Sequence, residues 1–416
     1  MYPNFRYFIY DWTGLDVPAL AVVQMYGFWL AMAFLASGFF MMVEMRRREK
    51  LGWLKGVYET ETIGKAASLG EIATHFVLGF LLGFKAVYYV QHNQEVGDAA
   101  SLLLSATGNW PMGLLFGALF AGWTWYEKHR QRLPQPKTVQ VLVMPHQRVS
   151  DIVILAAVSG VVGAKLYYHL TEWERFVRDP LREMLSPAGL TVYGGLILGF
   201  FVVSWYLRRK KIDYVQMLDA CAPALILAYG VGRLGCHFSG DGDWGVPAGP
   251  KPGWLAWAPD WVWAQWYPNN VLNGGTENAP MHLMNGEPPC NGFAALIPEG
   301  GSLIDGYCHC RDAPVYPTSL YEFVLCMGIF ALLWGLARRN SLPQGMIFSL
   351  YLLCNGLERF SIETIRINQK VLGGLTDAQL IALTLFLLGA GATVYLWIKG
   401  TRLPITPGAP ADGPEA

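Results

Sequence analysis

The feature that most constrains this chain is a series of nine apolar stretches, each close to the length that crosses a bilayer. A crossing helix needs about 20 mostly apolar residues, and it must be a helix because lipid offers the backbone no hydrogen-bond partners. Only 15% of the residues are charged, against about 25% in a soluble domain. The sequence therefore predicts an all-α polytopic membrane protein with about nine transmembrane helices. The predicted spans are Leu20–Val43, Ile72–Val90, Trp110–Tyr126, Ile152–Leu170, Leu190–Leu207, Val215–Cys236, Leu320–Leu336, Gly345–Ile362 and Leu380–Ile398.

The distribution of basic residues predicts the orientation of these helices. Basic groups follow the first, third, fifth, seventh and ninth spans, as in Arg46–Arg48 and Arg208–Lys211. The segment Gln91–Asn109, on the opposite side, contains no Lys or Arg. Because cytoplasmic loops are enriched in these residues, we expect the N-terminus outside and the C-terminus in the cytoplasm. The first apolar stretch is too long for a cleaved signal, so we expect it to be retained.

The spans and loops predict five segments. Residues 1–19 form a periplasmic N-terminal segment, residues 20–245 carry spans one to six, and residues 317–400 carry spans seven to nine. Between them, residues 246–316 are rich in Pro, Gly and Trp and predict an irregular periplasmic head. Residues 401–416 predict a disordered cytoplasmic tail.

Three cysteines lie in the predicted head. In an oxidising periplasm Cys290 would pair with Cys308 or Cys310. The alternative is a metal site at Cys308-His309-Cys310, but the tight spacing and the lack of a second Cys pair argue against it. We therefore expect no metal there.

A weak internal repeat covers residues 72–130 and 151–210. The run from Gly79 to Tyr89 resembles the run from Gly160 to Tyr168, and each contains a Lys followed closely by a Tyr pair. The alternative is chance similarity between Gly-rich membrane helices. The shared Lys and Tyr pattern favours a duplication of spans two and three as spans four and five.

Ionisable residues within the predicted spans carry the functional signal. Each costs about 3 kcal/mol to insert into a membrane, so each needs a reason. The set is Lys85, Lys165, Asp219, Arg233, Glu322, Glu358, Arg359, Glu363 and Arg366. With the predicted orientation, most of them lie near the outer ends of their helices, at the depth of Tyr26 and Tyr193. This common depth predicts one polar pocket.

Arg359, Glu363 and Arg366 are spaced four and three residues apart on span eight, so they share one helix face. Arg suits phosphate because its planar fork donates two parallel hydrogen bonds. The alternatives are an Arg–Glu–Arg ladder that only packs two helices, or side chains that extend to the membrane interface.

The run from Gly232 to Gly245 is glycine-rich and lies at the outer end of span six. Glycines at such a helix end let the backbone approach a ligand closely. Arg233 offers positive charge, and Asp241 and Asp243 offer acceptors or a base. The alternative is a turn that leaves the membrane with solvated acids. Asp-Gly-Asp is also typical of calcium loops, but the remaining oxygen ligands are missing.

Four blocks follow one another along the chain: Tyr26-Gly27, the run Gly232–Gly245, Pro317 to Glu322, and Arg359 to Arg366. They match, in order, a Tyr-Gly pair, a Gly-Arg-hydrophobic-Gly-Asn-Phe signature ending in Trp-Gly, a Pro-x-x-Leu-Tyr-Glu block and an Arg-Phe-x-x-Glu-x-x-Arg block. In this arrangement the chain resembles the prolipoprotein diacylglyceryl transferase family. Each block is modest alone, and together they are specific.

The chain departs from the family pattern at several positions. Tyr193-Gly194-Gly195 stands where the family has His-Gly-Gly, whose His is commonly proposed as essential. Cys236 replaces the signature Asn, Tyr316 replaces a His, and Asn355 replaces a Tyr of span eight. The family usually has seven spans, so the repeat would supply two more. These changes bear on proton transfer more than on the class of reaction.

The resemblance implies a reaction in which phosphatidylglycerol is the donor, the lipobox cysteine of a prolipoprotein signal peptide is the acceptor, and glycerol phosphate leaves. It implies a bacterial inner-membrane protein whose active site faces the periplasmic leaflet, with no cofactor. The formal net charge is zero, so composition does not point to nucleic acid.

This reaction needs a cation beside the leaving phosphate and a base for the thiol. We expect Arg233 and Arg359 to supply the cation. The predicted base is left open between Tyr193, Asp241, Asp243 and Glu363, and Tyr193 would alternatively donate a hydrogen bond to the phosphate. The predicted substrate-binding and orienting residues are Tyr26, Lys165, Gly194, Gly195, Gly232, Cys236, His237, Gly245, Glu322 and Arg366. For His237 the alternative is an ordinary interfacial histidine.

Two other classes of function compete with this interpretation. A transporter of a small anion would explain duplicated spans that carry Lys85 and Lys165. However, the repeat covers only four of nine predicted spans, and the ionisable residues gather at one face of the membrane. The other alternative is a non-catalytic lipid-binding relative, given the changed His, Asn and Tyr.

Overall fold

The computed structural model describes residues 2, 4–92, 107–185, 191–241, 243–265, 267, 314–368, 370–371 and 373–404. Most of the predicted head, including Cys290, Cys308 and Cys310, and most of the predicted tail lie outside the described residues. The chain divides into two compact units. Unit 1 comprises Met1–Leu54 and Asp213–Ala416, and unit 2 comprises Lys55–Ile212.

The described elements are mostly helices. In chain order they are α1 (Phe5–Thr13), α2 (Met25–Lys50), β1 (Val57–Ile63), α3 (Leu69–Gln91), α4 (Trp110–Arg130), β2 (Lys137–Val143), α5 (Val149–Thr171), α6 (Trp173–Arg178), α7 (Pro180–Leu185), α8 (Val192–Arg209), α9 (Tyr214–Ser239), α10 (Asp260–Trp263), α11 (Thr318–Ala337), α12 (Met346–Glu363) and α13 (Asp377–Lys399). Short 3₁₀ turns lie at Pro18–Val22, Pro145–Arg148 and Gly253–Leu255.

Within the described residues, six helices are long and apolar enough to cross a membrane: α2, α3, α5 with its preceding turn, α9, α11 and α13. They coincide with predicted spans one, two, four, six, seven and nine. The other three predicted spans are also helical, as α4, α8 and α12. Helix α12 is less apolar because it carries Glu358, Arg359 and Glu363. The helical, multi-span character predicted from the sequence is confirmed.

A two-stranded sheet departs from this otherwise helical architecture. Strands β1 and β2 pair antiparallel from Val57 opposite Val143 to Ile63 opposite Lys137. Both strands are rich in β-branched residues, which favour extended structure. From the sequence these segments were expected only as connections between spans, and the sheet was not predicted.

Helix α9 is the central helix of unit 1. It packs against α2, α11 and α12, while α12 also packs against α13. The buried core between α9, α11 and α12 includes Ala222, Ile226, Cys326 and Leu333. Small and aliphatic side chains form this core, so the three helices pack closely and hold their ends near Arg233, Glu322 and Arg359 in fixed positions.

A buried polar network in unit 1 stabilises the N-terminal part of α9, at the end of the helix away from Arg233. The two carboxylate oxygens of Asp219 accept hydrogen bonds from the backbone amides of Gly345 (2.8 Å) and Phe348 (2.9 Å), which caps α12. Arg48 lies 3.8 Å from Asp219 and donates to Gln216. Asp219 is fourteen residues before Arg233, about 21 Å along a helix, so it does not belong to the polar pocket predicted at the outer end.

Unit 2 contains two pairs of packed helices, α3 with α4 and α5 with α8. Glycines form both contacts: a Cβ on Gly79 would lie 2.5 Å from the carbonyl oxygen of Phe116, and one on Gly195 would lie 2.7 Å from that of Gly160. Each predicted copy of the repeat therefore forms a closely packed helix pair. Whether the pairs arose by duplication stays a prediction.

Candidate active site

The C-terminal ends of α9 and α12 and the N-terminal end of α11 bring two arginines to one buried carboxylate. Glu322 is 0% exposed. Its Oε2 atom lies 3.1 Å from Nε of Arg233, and its Oε1 atom accepts a hydrogen bond of 2.7 Å from Nη1 of Arg359. Three helices thus place both guanidinium groups, which the sequence assigned to one pocket, around a single side chain.

Asp243 connects Arg233 to a third arginine. Its two carboxylate oxygens accept hydrogen bonds from Arg233 and Arg366, and Arg366 also lies 3.6 Å from Glu322. Burial alone would raise the pKa of Asp243, but the two guanidinium groups outweigh burial and lower the pKa to about 2. Asp243 is therefore ionised and fully engaged at neutral pH, which makes it a poor proton acceptor.

Glu363 is held by hydrogen bonds and by an ion pair. Its Oε1 atom accepts hydrogen bonds from Asn368 (2.6 Å) and Thr376 (2.9 Å), and its Oε2 atom lies 3.0 Å from Arg359. The side chain is 2% exposed. These contacts hold Arg359 in place.

We call this set the arginine cluster; it comprises Arg233, Arg359, Arg366, Asp243, Glu322 and Glu363. Its three positive and three negative charges balance. Buried ion pairs contribute little net stability, because desolvation offsets their attraction. Helix packing alone would therefore not explain why these six charged side chains are buried together. A guanidinium that binds a carboxylate can instead bind a phosphate with the same fork geometry.

Unlike Asp243 and Glu363, Asp241 forms no ion pair with an arginine of the cluster within the described residues. Its Oδ1 atom is buried and has no hydrogen-bond partner within the described part of the chain. Burial and the adjacent charge of Asp243 raise the pKa of Asp241 to about 6. A carboxylate with a free oxygen and such a pKa can accept a proton near neutral pH.

Cys236, Asp241 and Asp243 place a thiol and two carboxylates within 4.8 Å of one another. This donor set alone would suit a soft divalent metal. However, Asp243 already binds two guanidinium groups, and Arg233 lies 3.9 Å from the Cys236 sulfur. The positive charge of Arg233 opposes a metal cation there, so we assign no metal site.

The loop after α9 is fixed by glycines. Gly240 ends the helix in the left-handed region, with φ of +65°. A Cβ on Gly245 would lie 2.7 Å from the carbonyl oxygen of Ile365, and the Gly245 amide donates to the carbonyl of Tyr316 (2.8 Å). Gly245 therefore allows the loop to pass close to the end of α12. A Cβ on Gly232, by contrast, would meet nothing within 4 Å.

Two other predicted residues of unit 1 lie beside this loop. Tyr26 packs on the α9 backbone, where a Cβ on Gly235 would lie 3.3 Å from its ring. His237 is 8% exposed, and its Nδ1 atom lies 3.4 Å from the Ser319 hydroxyl and 3.5 Å from that of Tyr267. The described contacts of His237 are therefore with hydroxyl groups and aromatic rings.

Four predicted site residues belong to unit 2. Tyr193 lies in the first turn of α8 and is 37% exposed. Gly194 and Gly195 pack against α5, and Lys165 lies 5.8 Å from the ring centre of Tyr168. The two glycines thus have a packing role in the α5–α8 pair. The predicted roles of all four in substrate binding or catalysis stay predictions.

Several supporting residues were not identified from the sequence. The Tyr229 hydroxyl accepts from Arg233 (3.0 Å) and donates to Glu322 (3.1 Å), and its ring centre lies 4.8 Å from the Arg233 guanidinium carbon. Tyr229 precedes Arg233 by one helical turn, so helical spacing would have indicated it. Thr376 and Asn368, which hold Glu363, lie outside helical periodicity and gave no such signal.

Comparison with known proteins identifies the family to which the chain is similar. The family model for prolipoprotein diacylglyceryl transferase matches residues 113–395. A phosphatidylglycerol–prolipoprotein diacylglyceryl transferase of Gloeobacter violaceus is 31% identical over 261 residues, which is 61% of this chain and 78% of that protein. Proteins of the same name from Synechocystis and Corynebacterium glutamicum are 28% and 27% identical, covering 61% and 70% of this chain and 76% and 80% of those proteins.

The matched range includes Arg233, Asp243, Glu322, Arg359 and Arg366, which converge where α9 ends, α11 begins and α12 ends. It covers well over half of the chain. By its sequence and by the extent of the match, the chain belongs to the prolipoprotein diacylglyceryl transferase family.

Proposed function

We propose that this protein transfers the diacylglyceryl group of phosphatidylglycerol to the lipobox cysteine of prolipoproteins and releases glycerol phosphate. Membership of the family and the names of the relatives support this reaction. The observation that carries the proposal is the arginine cluster, in which Glu322 holds Arg233 and Arg359 at one point. Two convergent guanidinium groups suit a single phosphate.

We also propose the membrane topology that the loops predict. In this arrangement nine helices cross the bilayer, the six apolar ones together with α4, α8 and α12, with the N-terminus outside and the C-terminus in the cytoplasm. The ends of α9 and α12 that carry Arg233 and Arg359 then reach the periplasmic leaflet of the inner membrane. A phospholipid of that leaflet and a signal peptide emerging into the periplasm would both meet the site there.

In the proposed reaction the phosphate of the donor lipid binds between Arg233 and Arg359. As the glyceryl C–O bond breaks, its electron pair moves to the phosphate oxygen, and the leaving glycerol phosphate gains negative charge. Guanidinium groups already fixed by Glu322 stabilise that charge without rearranging. Arg366, paired with Asp243 and close to Glu322, orients the other two arginines.

The acceptor thiol must lose its proton, because the thiolate is the nucleophile. We assign this proton to Asp241. The other acids suggested by the sequence, Asp243 and Glu363, each form an ion pair with an arginine of the cluster, whereas Asp241 forms none within the described residues. The thiolate then attacks the glyceryl carbon, a C–S bond forms, and the product is a thioether.

The proposal is tested with the purified full-length protein in nanodiscs that contain phosphatidylglycerol and a synthetic lipobox peptide. Mass spectrometry should detect the peptide with a diacylglyceryl thioether, together with free glycerol phosphate. A peptide with Ser in place of the lipobox Cys is the matched control and should remain unmodified. Binding of phosphatidylglycerol without thioether would contradict the proposal and support a non-catalytic lipid-binding protein.

A further inference from the structure

One acidic side chain beside the arginine cluster has no part in the scheme so far. Glu358 lies on α12, one residue before Arg359, and is 5% exposed. Both of its carboxylate oxygens are buried, and neither has a hydrogen-bond partner within the described residues. Buried polar groups are nearly always satisfied, so an unpartnered carboxyl group requires an explanation.

The surroundings of Glu358 place it at the same site. The charged and titratable groups that lie within electrostatic range of it are Tyr229 and Arg233 of α9, Glu322 and Cys326 of α11, Tyr351 and Arg359 of α12 itself, and Arg366. None of these groups forms an ion pair or hydrogen bond with it among the described residues. Glu358 therefore lies within electrostatic range of all three arginines without being held by them.

Charge balance indicates the form in which Glu358 is present. The arginine cluster is neutral without it, so an ionised Glu358 would add a net negative charge where an anionic phosphate must bind. An ionised carboxylate without donors in buried surroundings is also costly. Both considerations favour Glu358 as a neutral carboxylic acid, which has one proton to donate.

We propose that Glu358 is the general acid that protonates the departing phosphate; this inference rests on the proposed transfer reaction. The thiol proton passes to Asp241, and the C–S bond forms as the glyceryl C–O bond breaks. The electron pair of that C–O bond goes to the phosphate oxygen, which receives the proton of Glu358. Glycerol phosphate leaves as a monoanion. Water then returns a proton to Glu358, and Asp241 releases its proton.

A separate acid and base, kept in different environments, are a common solution for reactions that move two protons. Asp241 lies in the loop after α9 and Glu358 lies on α12, so one residue need not serve both steps.

The test compares Glu358→Gln and Glu358→Asp with the wild-type protein in the nanodisc assay, from about pH 6 to about pH 9. The Gln variant keeps the shape and lacks the acid. We expect its kcat to fall about 10²- to 10³-fold, while KM for phosphatidylglycerol changes less than about threefold. The wild-type kcat should decline at high pH as the acid loses its proton, and this alkaline decline should disappear in the Gln variant. The Asp variant should recover part of kcat and keep the alkaline decline. Cys354→Ser, one turn earlier on α12, is the matched control and should behave like the wild type.

A Gln variant with nearly normal kcat and an unchanged pH profile would overturn the role of Glu358. A Gln variant that loses thermal stability or lipid affinity but keeps the wild-type dependence of kcat on pH would also overturn it, because a merely structural residue would have this effect. If the Gln variant does not fold, the Asp variant decides. An Asp variant with a reduced kcat and the wild-type dependence of kcat on pH supports the proposal. An Asp variant that is folded but fully inactive contradicts it. An inactive wild-type protein would instead contradict the proposed function itself.

Discussion

Replacing Glu322 with Ala removes the side chain on which the arginine cluster is centred. Glu322 is 0% exposed and contacts Arg233 at 3.1 Å, Arg359 at 2.7 Å and Arg366 at 3.6 Å. Its loss leaves three buried guanidinium groups with the two carboxylates of Asp243 and Glu363. Removing one partner of a buried ion pair costs about 3–5 kcal/mol, because the other charge stays buried without compensation. We expect the free energy of unfolding to fall by about that amount.

The same change should also lower catalysis in the molecules that remain folded. Arg233 and Arg359 would no longer share an anchor, and a misplacement of about 1 Å can cost about 10²-fold in rate. Unfolding is measured as a reversible transition in mixed micelles, and transfer is measured as thioether formed per folded molecule. We expect both quantities to fall together in Glu322→Ala.

Glu44 offers a matched control. It is also 0% exposed and pairs with two arginines, Arg47 and Arg48, at the opposite end of unit 1. Glu44→Ala should destabilise the protein by a similar amount and leave transfer per folded molecule unchanged. The reasoning is refuted if Glu322→Ala costs less than about 1 kcal/mol, as an exposed pair would, or if the two variants lose transfer equally.

Three further predictions follow from the described contacts. Because a base must be ionised to act, kcat/KM should rise with pH through about 6, the pKa of Asp241. Asp241→Asn should remove this rise, whereas Asp243→Asn should keep it and move it to lower pH, because the charge of Asp243 helps to raise the pKa of Asp241. Gly245→Ala should lower the free energy of unfolding by about 1–3 kcal/mol because of overpacking. Gly232→Ala should leave the melting temperature unchanged, and it should lower the rate of lipid transfer only if the lipid approaches the backbone at Gly232. Asp219→Ala should cost about 2 kcal/mol by uncapping α12 with unchanged turnover of folded protein; a loss of turnover would contradict its purely structural role.

The helices could be predicted from the sequence because hydropathy and length largely determine which segments cross a membrane. The convergence of Arg233 and Arg359 could be anticipated as well, since both lie near the predicted outer ends of their spans. The sheet between β1 and β2 could not, because its two strands are separated by an entire helix pair. Their register depends on a pairing that no local pattern specifies.

The roles of individual acids in the site needed the structure. In sequence, Asp241, Asp243 and Glu363 are equivalent candidates for the base. Only the contacts separate them, because Asp243 binds two arginines while one oxygen of Asp241 has no partner within the described residues. Glu358 was recognisable as an ionisable residue within a span, but neither its burial nor its unpartnered oxygens could be derived from its neighbours in the chain.

The most direct measurement of the central claim is the rate of thioether formation by Arg233→Gln and Arg359→Gln, with folding verified by thermal unfolding. If both guanidinium groups bind the leaving phosphate, each folded variant should lose at least about 10²-fold in kcat/KM, the scale of a lost transition-state donor. Rates close to the wild type in both variants would show that the phosphate does not depend on these arginines.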